Sequence, residues 1–365
     1  MRAKGWSPRL LVGTALSKDQ FSFVLGELEY DDPFSAIITY DGNFPQPWSR
    51  IDVQREVVDL LYADEKDVLL ALSNEGDVYT IRGGQVDWSK IPGAGVLSDD
   101  AEGYGATHTL LRRGETSFVF GAGRQIYERT GEAAWNVISA DKSGSDGYQP
   151  ESFGDAILLG DGDMLIEAVS LPAQPRAGNL LDHPDYRPDL TPERLVDLMD
   201  QMNAAGSGGP RRQFVYRFDG RTLDRVDVPE DIVIRDLYQD PNKNIWIVGV
   251  DGLILKGNTG GNFDRVDFHG DRETLISAVW FSDKLIVASD YSLHGFDGHI
   301  MTRIKPVLND PFINRNTPTP NGLQVVDGIM FYFDYKHGVC RWDGEIWDWI
   351  DIPEALLERK FEGLR

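Results

Sequence analysis

Cysteine is almost missing. Cys340 is the one thiol in 365 residues, so no intrachain disulfide can form. That points to a reducing cytoplasm, and the thiol, in a strand-like run beside Val339 and Trp342, reads as a buried inert group rather than a nucleophile. Long apolar runs are missing too. None reaches the roughly 18 residues that a membrane-spanning helix needs. The run Leu10–Leu16, behind Arg2, Lys4 and Arg9, is interrupted by Gly13 and Thr14, which suits a first β-strand better than a secretion signal.

Basic charge is scarce: 36 Lys and Arg face 59 Asp and Glu, leaving −23 at pH 7. Nucleic acid and anionic membranes need a cationic surface, so neither is expected as a ligand, whereas a basic protein is. Chemical signatures are equally sparse. No Gly-x-Ser-x-Gly, His-Glu-x-x-His, P-loop or Gly-x-Gly-x-x-Gly occurs. Asp240-x-Asn242-x-Asn244 starts like a calcium loop, but Ile245 stands where such a loop needs Gly, and a hairpin turn is the better reading. His294 and His299 flank Asp297 at another turn; with six histidines in the chain, this spacing reads as coincidence rather than a metal pair. No catalytic residue, metal or cofactor is therefore expected.

What is present is turn chemistry and aromatic bulk. The 41% hydrophobic content, 17 Phe and 9 Trp can fill a large core, and 38 Gly with 19 Pro can serve many turns. The pattern is clearest from Ile232 to Phe268. Ile232–Leu237 is an apolar run stopped by Asp240-Pro241-Asn242; Ile245–Val250 is a second, Asp251-Gly252 a tight hairpin signal, Leu253–Lys256 a third, and Phe263–Phe268 alternates apolar and charged residues after the Gly257–Gly261 turn. Four strands in so short a stretch make one propeller blade, which cannot bury both of its faces alone. The turn between third and fourth strands recurs at Tyr40-Asp41-Gly42, Arg82-Gly83-Gly84, Arg129-Thr130-Gly131, Phe218-Asp219-Gly220, Thr259-Gly260-Gly261, Phe296-Asp297-Gly298 and Trp342-Asp343-Gly344. Intervals between the last glycines are 42, 47, 89, 41, 37 and 46 residues. Seven marks predict an all-β, seven-bladed β-propeller in one domain spanning 1–365, with blades near 9–53, 54–92, 93–140, 141–229, 230–268, 269–308 and 309–353.

Asn244-Ile245-Trp246-Ile247-Val248-Gly249-Val250-Asp251-Gly252-Leu253 resembles the repeat of two-component-regulator propellers. The following Gly257-Asn258-Thr259-Gly260-Gly261-Asn262-Phe263 is similar to the turn of BNR-type and photosystem-assembly-factor-like propellers. The resemblance implies the fold and carries over no functional residue, because such blades serve unrelated activities.

The 89-residue interval implies an insertion over 171–212 in blade four. Thr191 is a suitable N-cap and Pro192 a suitable first helical residue, and Leu195, Leu198, Met199 and Met202 form one apolar stripe, so a helix is expected over 192–202. The insertion also carries Asp185, Tyr186, Asp189, Glu193, Asp197 and Asp200. A second acidic segment, Gly93–Gly105, holds Asp99, Asp100, Glu102 and Tyr104. The acidic residues of both, with Tyr104, Tyr186, Met199 and Met202, are the expected binding site for a basic protein partner. The leading expectation is a non-enzymatic, monomeric, cytoplasmic inhibitor of the immunity type, which occludes a toxin or effector. Two alternatives are a propeller lyase or hydrolase using residues at the channel mouth, and a sensor or assembly-factor propeller.

Overall fold

A computed structural model describes residues 8–26, 33–63, 68–144, 148–172, 211–270, 272–306, 319–336 and 338–358. Blade one holds β1 (Arg9–Ser17), β2 (Gln20–Gly26), β3 (Ser35–Asp41) and β4 (Trp48–Val53), and blade two β5 (Val57–Ala63), β6 (Val68–Ser73), β7 (Asp77–Arg82) and β8 (Gln85–Lys90). Blade three holds β9 (Thr107–Arg113), β10 (Thr116–Gly121), β11 (Gln125–Arg129) and β12 (Trp135–Ser139), and blade four β13 (Ser152–Leu158), β14 (Met164–Ser170), β15 (Arg212–Phe218) and β16 (Leu223–Val226). Blade five holds β17 (Ile234–Gln239), β18 (Ile245–Gly249), β19 (Leu253–Asn258) and β20 (Gly261–Arg265). Blade six holds β21 (Leu275–Phe281), β22 (Lys284–Ser289), β23 (Leu293–Phe296) and β24 (Met301–Ile304), and blade seven β25 (Pro320–Val326), β26 (Ile329–Asp334), β27 (Gly338–Trp342) and β28 (Trp347–Trp349). Each set of four consecutive strands is one antiparallel sheet, giving seven sheets. The all-β, seven-bladed architecture is the one the turn spacing implies.

Five of the seven marks are closed by an Asx side chain: Asp41, Asp219, Asn258, Asp297 and Asp343. In three of them the aspartate Oδ1 accepts two successive backbone N–H groups: Asp219 from Arg221 and Thr222 at 2.7 and 2.8 Å, Asp297 from His299 and Ile300 at 2.9 Å each, and Asp343 from Glu345 and Ile346 at 2.8 and 2.7 Å. The glycine after each aspartate has φ between 101° and 103°, which an L side chain rarely adopts. Asp240 closes its hairpin likewise, accepting the Asn244 N–H at 2.9 Å and the Trp246 indole N–H at 3.0 Å.

Burial follows the strand order. β2, β6 and β18 are buried throughout, whereas the fourth strands are half-buried or exposed at most positions. Apolar side chains collect into seven clusters, one at each seam between adjacent blades. Trp246 is buried between blades five and six, edge-on to Phe296 at 6.3 Å.

The first strands β1, β5, β9, β13, β17, β21 and β25 pack in a ring, each beside the next, and β25 closes against β1. Each slips register by one residue near its start. This bulge re-aims the following side chain, and five of the seven then grip the next first strand. Asp59 Oδ2 accepts Leu110 N–H at 2.7 Å, Thr109 donates to Gly154 O at 2.5 Å, and Asp155 Oδ2 accepts Leu237 N–H at 3.0 Å. Asp236 Oδ2 accepts Ala278 N–H at 2.7 Å and Ser277 Oγ accepts Leu323 N–H at 3.3 Å. At the seam between blades seven and one, Gln324 bonds both N–H and C=O of Ala15, at 2.7 and 3.1 Å. Between blades one and two, Ser22 and Tyr62 share a 2.6 Å bond. These contacts satisfy edge groups of the inner strands that no neighbouring strand covers.

β14 pairs with β15 from Ser170↔Arg212 onward, so the long interval is a connection between two adjacent strands. The helix expected over 192–202 lies outside the described residues. Among the described residues the helical turns are three residues long, Val250–Gly252 and Glu354–Leu356.

Candidate protein-binding face

In an antiparallel four-stranded blade, the connections between the first and second and the third and fourth strands leave from one face of the disc, here the lower. The second-to-third connections and the links between blades leave from the other, the upper. On this rule the link from β8 to β9, which contains Gly93–Gly105, belongs to the upper face, and the described ends of the connection from β14 to β15 leave from it. The base of the second is fixed by the Tyr148↔Pro172 bridge and by the Gln149 N–H donating to Leu171 O at 2.8 Å. Asp185, Tyr186, Asp189, Glu193, Asp197, Met199, Asp200 and Met202 lie outside the described residues. Asp99, Asp100, Glu102 and Tyr104 are described.

The loop over 93–105 is held from beneath. Glu75, in the turn between β6 and β7, is buried, and its Oε2 accepts three successive N–H groups, from Val96, Leu97 and Ser98, at 3.0, 2.9 and 3.0 Å. Lys90 spans the other side, donating to the carbonyls of Glu75 and Ala94 and to Ser98 Oγ. Gly95 has φ of 105°, and a Cβ there would lie 2.6 Å from the Glu75 carboxylate, so only glycine lets the loop wrap so closely. A Gly95↔Gly105 bridge and the Glu102 N–H donating to Gly93 O at 2.9 Å close the base. On this frame Asp99, Asp100 and Glu102 are exposed. Tyr104 is half-buried beneath Lys142, whose ammonium lies 4.6 Å from the ring centre. Burial, then the neighbouring Glu102 carboxylate, hold the Tyr104 hydroxyl above its usual range.

Sequence reasoning missed the exposed apolar part of this loop. Val96 is 60% and Leu97 79% exposed, side by side next to the Gly95↔Gly105 bridge. The signal was an apolar pair isolated between Gly95 and Ser98 in a loop otherwise rich in Gly and Asp. Tyr291, in the turn between β22 and β23, is a further exposed aromatic on the upper face.

Acidic groups inside the ring have a different character. Burial pushes the Asp59 and Glu167 carboxyls up to about 7. Asp155 and Asp236 are both raised, Asp236 well above the usual range, first by burial and then by its neighbour's charge. Glu167 accepts from Gln213 Nε2 at 2.6 Å. These groups clasp backbone or amide donors, and their part is structural.

The cluster of Glu273, Ser289, Ser292 and His294 looks like parts of a charge-relay site, with Ser292 Oγ 2.6 Å from His294 Nε2. Both hydroxyls are fully buried, so the cluster ties the link into blade six to its turn between β22 and β23. Cys340 is buried and its thiol is pushed up by burial. No group of metal-ligating side chains assembles among the described residues. The lower face has a groove of about 600 Å³ between blades two and three, where Arg82, Arg112 and Arg129 are interleaved with Glu115, Glu128 and Glu132. Its charges largely offset one another, unlike those of the loop above.

The chain matches no protein-family model, and no curated protein sequence matches it. Solved structures do match. A YCF48 structure from Cyanidioschyzon merolae superposes with a TM-score of 0.57 at 13% identity, covering 92% of this chain and 95% of that one. YCF48 bound to D1 peptide gives 0.56 at 11%, covering 94% and 93%. The WD40 propeller domain of Doa1 gives 0.54 at 11%, covering 93% and 94%. At such identities the likeness is one of fold, and it agrees with the resemblance to assembly-factor-like propellers seen in blade five.

Proposed function

We propose that this protein is a non-enzymatic binding propeller whose upper face docks a basic protein, and more specifically an immunity-type inhibitor that occludes a toxin or effector. It works as a monomer in the cytoplasm. The observation that carries the reading is the loop over 93–105: an anchored, acidic loop on the face from which the insertion also departs. Rigidity lowers the entropic cost of association. A net charge of −23 steers a cationic partner toward the surface and disfavours anionic competitors. A propeller can serve such a role by occlusion alone, which needs no catalytic group. The YCF48 propeller solved with a peptide bound is a precedent for this architecture as a peptide-binding surface. In the insertion, Asp185, Asp189, Glu193, Asp197 and Asp200 would add charge, Met199 and Met202 apolar contact, and Tyr186 an anchor, since aromatic residues dominate interface energetics.

The test replaces residues 173–210 with a short Gly/Ser linker, neutralises Asp99, Asp100 and Glu102 as amides in a second variant, and recovers partners from the native host. The wild-type chain should capture one basic protein, less well as salt rises, and each variant should capture it more weakly. A folded deletion variant that captures the same protein undiminished, with no dependence on salt, would overturn both the site and its electrostatic rationale.

A further inference from the structure

The Val96-Leu97 stretch of the upper-face loop combines two properties that seldom coincide. Its backbone is fixed, because the N–H groups of Val96, Leu97 and Ser98 all converge on one Glu75 oxygen, and its two apolar side chains stand in water at 60% and 79% exposure. Exposed Val and Leu on a floppy loop would fold back onto the disc. Here the Glu75 anchor, the Lys90 strut and the Gly95↔Gly105 bridge prevent that. Asp99, Asp100 and Glu102 follow in the same loop, all exposed, with Asp100 4.0 Å from the Lys90 ammonium.

We infer that Val96 and Leu97 form a preorganised apolar finger that inserts into an apolar cleft edged by lysine or arginine on a protein partner. This rests on the reading that the upper face binds a basic protein, and it names what that reading leaves open: the anchor is apolar, and charge only frames it. Asp99, Asp100 and Glu102 would meet the cationic rim while the two side chains leave water. Ordering the loop costs little on binding because Glu75 has already ordered it.

The probe is an amphipathic helical peptide of leucine and lysine, about 14 residues long, which presents an apolar stripe flanked by ammonium groups. The control replaces its leucines with serine at unchanged charge. Isotope-labelled methyl groups of Val96 and Leu97 report the site, and titration gives the affinity. The leucine peptide should shift both methyl signals and bind at least tenfold more tightly than the serine peptide. Val96→Ser with Leu97→Ser should weaken it about tenfold or more, in line with the burial of two aliphatic side chains. Glu75→Gln should speed amide exchange at 96–98 and weaken binding several-fold without altering either apolar side chain. If both peptides bind alike and the double serine variant changes nothing, the finger is wrong and the basic-partner reading survives. Binding that leaves the Val96 and Leu97 methyls unmoved refutes the finger in the same way. If neither peptide binds, both readings fall.

Discussion

Asp59→Asn should flatten a loss of stability that the wild-type protein shows as pH rises from about 5 to about 8. Asp59 sits in the ring of first strands, accepting N–H groups from Leu60 at 2.8 Å and from Leu110 of the next blade at 2.7 Å. Burial raises its carboxyl from 3.8 to about 7 in the folded protein. The native state therefore holds a proton that the unfolded chain releases near 3.8. The contribution of this proton is complete below that pH and is lost as pH climbs through about 7. At about 1.36 kcal/mol per pH unit, that span sets a ceiling of about 4 kcal/mol. Asp59 is only half-buried by its own area, and screening by water in the ring reduces the figure to about 1–2 kcal/mol. Carboxylates held low by turn N–H groups, such as Asp219, Asp297 and Asp343, act with the opposite sign. Their contribution is present above the ordinary carboxylate range and lost only as pH falls below it, so they do not mask the effect. Asparagine keeps an acceptor for Leu110 N–H and cannot titrate. Urea melts at about pH 5, 6, 7 and 8 should show the wild type losing stability across the series and the variant losing about 1–2 kcal/mol less. Identical slopes for the two proteins, or a wild type that gains stability with pH, would refute the reasoning.

Glu167→Gln should act in the same direction, since that carboxyl is also raised to about 7, chiefly by burial, and should show a flatter loss of stability with pH than the wild type in the same urea series. Trp246→Ala removes a buried ring packed against Phe296 and should cost about 3–5 kcal/mol in a urea melt; an unchanged midpoint would mean that its strand face is misplaced. A Cβ on Gly249 would lie 1.9 Å from the Val233 carbonyl oxygen, so Gly249→Ala should destabilise by more than about 2 kcal/mol, read in the same assay. Gln324→Ala deletes both bonds to Ala15 that close the ring and should cost about 1–2 kcal/mol.

Features fixed by neighbours in the chain were legible in the sequence. An aspartate that accepts the N–H groups two and three residues on, followed by glycine at positive φ, is a local device, and its recurrence at Asp219, Asp297 and Asp343 marked the third-to-fourth-strand hairpins. The long interval after Gly131 was likewise readable as an insertion, because β14 and β15 had to meet across it. Contacts between distant segments were not legible. Asp59 reads as an odd charge in Val57-Val58-Asp59-Leu60 until a one-residue bulge turns it toward Leu110, 51 residues away. The same holds for the binding loop. Its acidic residues show as composition, but the exposure of Val96 and Leu97 depends on Glu75, 21 and 22 residues earlier, taking their N–H groups. The repeated offset of Asp59, Asp155 and Asp236 two residues after a buried apolar residue at or next to the strand start, Val57, Phe153 and Ile234, was the available clue to the clasps.

The most direct test of the binding-face account is an amide hydrogen-exchange footprint of the protein in complex with the basic partner recovered by wild-type capture. The account predicts added protection over 93–105 and at the residues flanking the insertion near Ser170 and Arg212, all on the upper face. Protection confined to the lower-face turns, such as those around Lys18, Arg82 and Ile346, would contradict it.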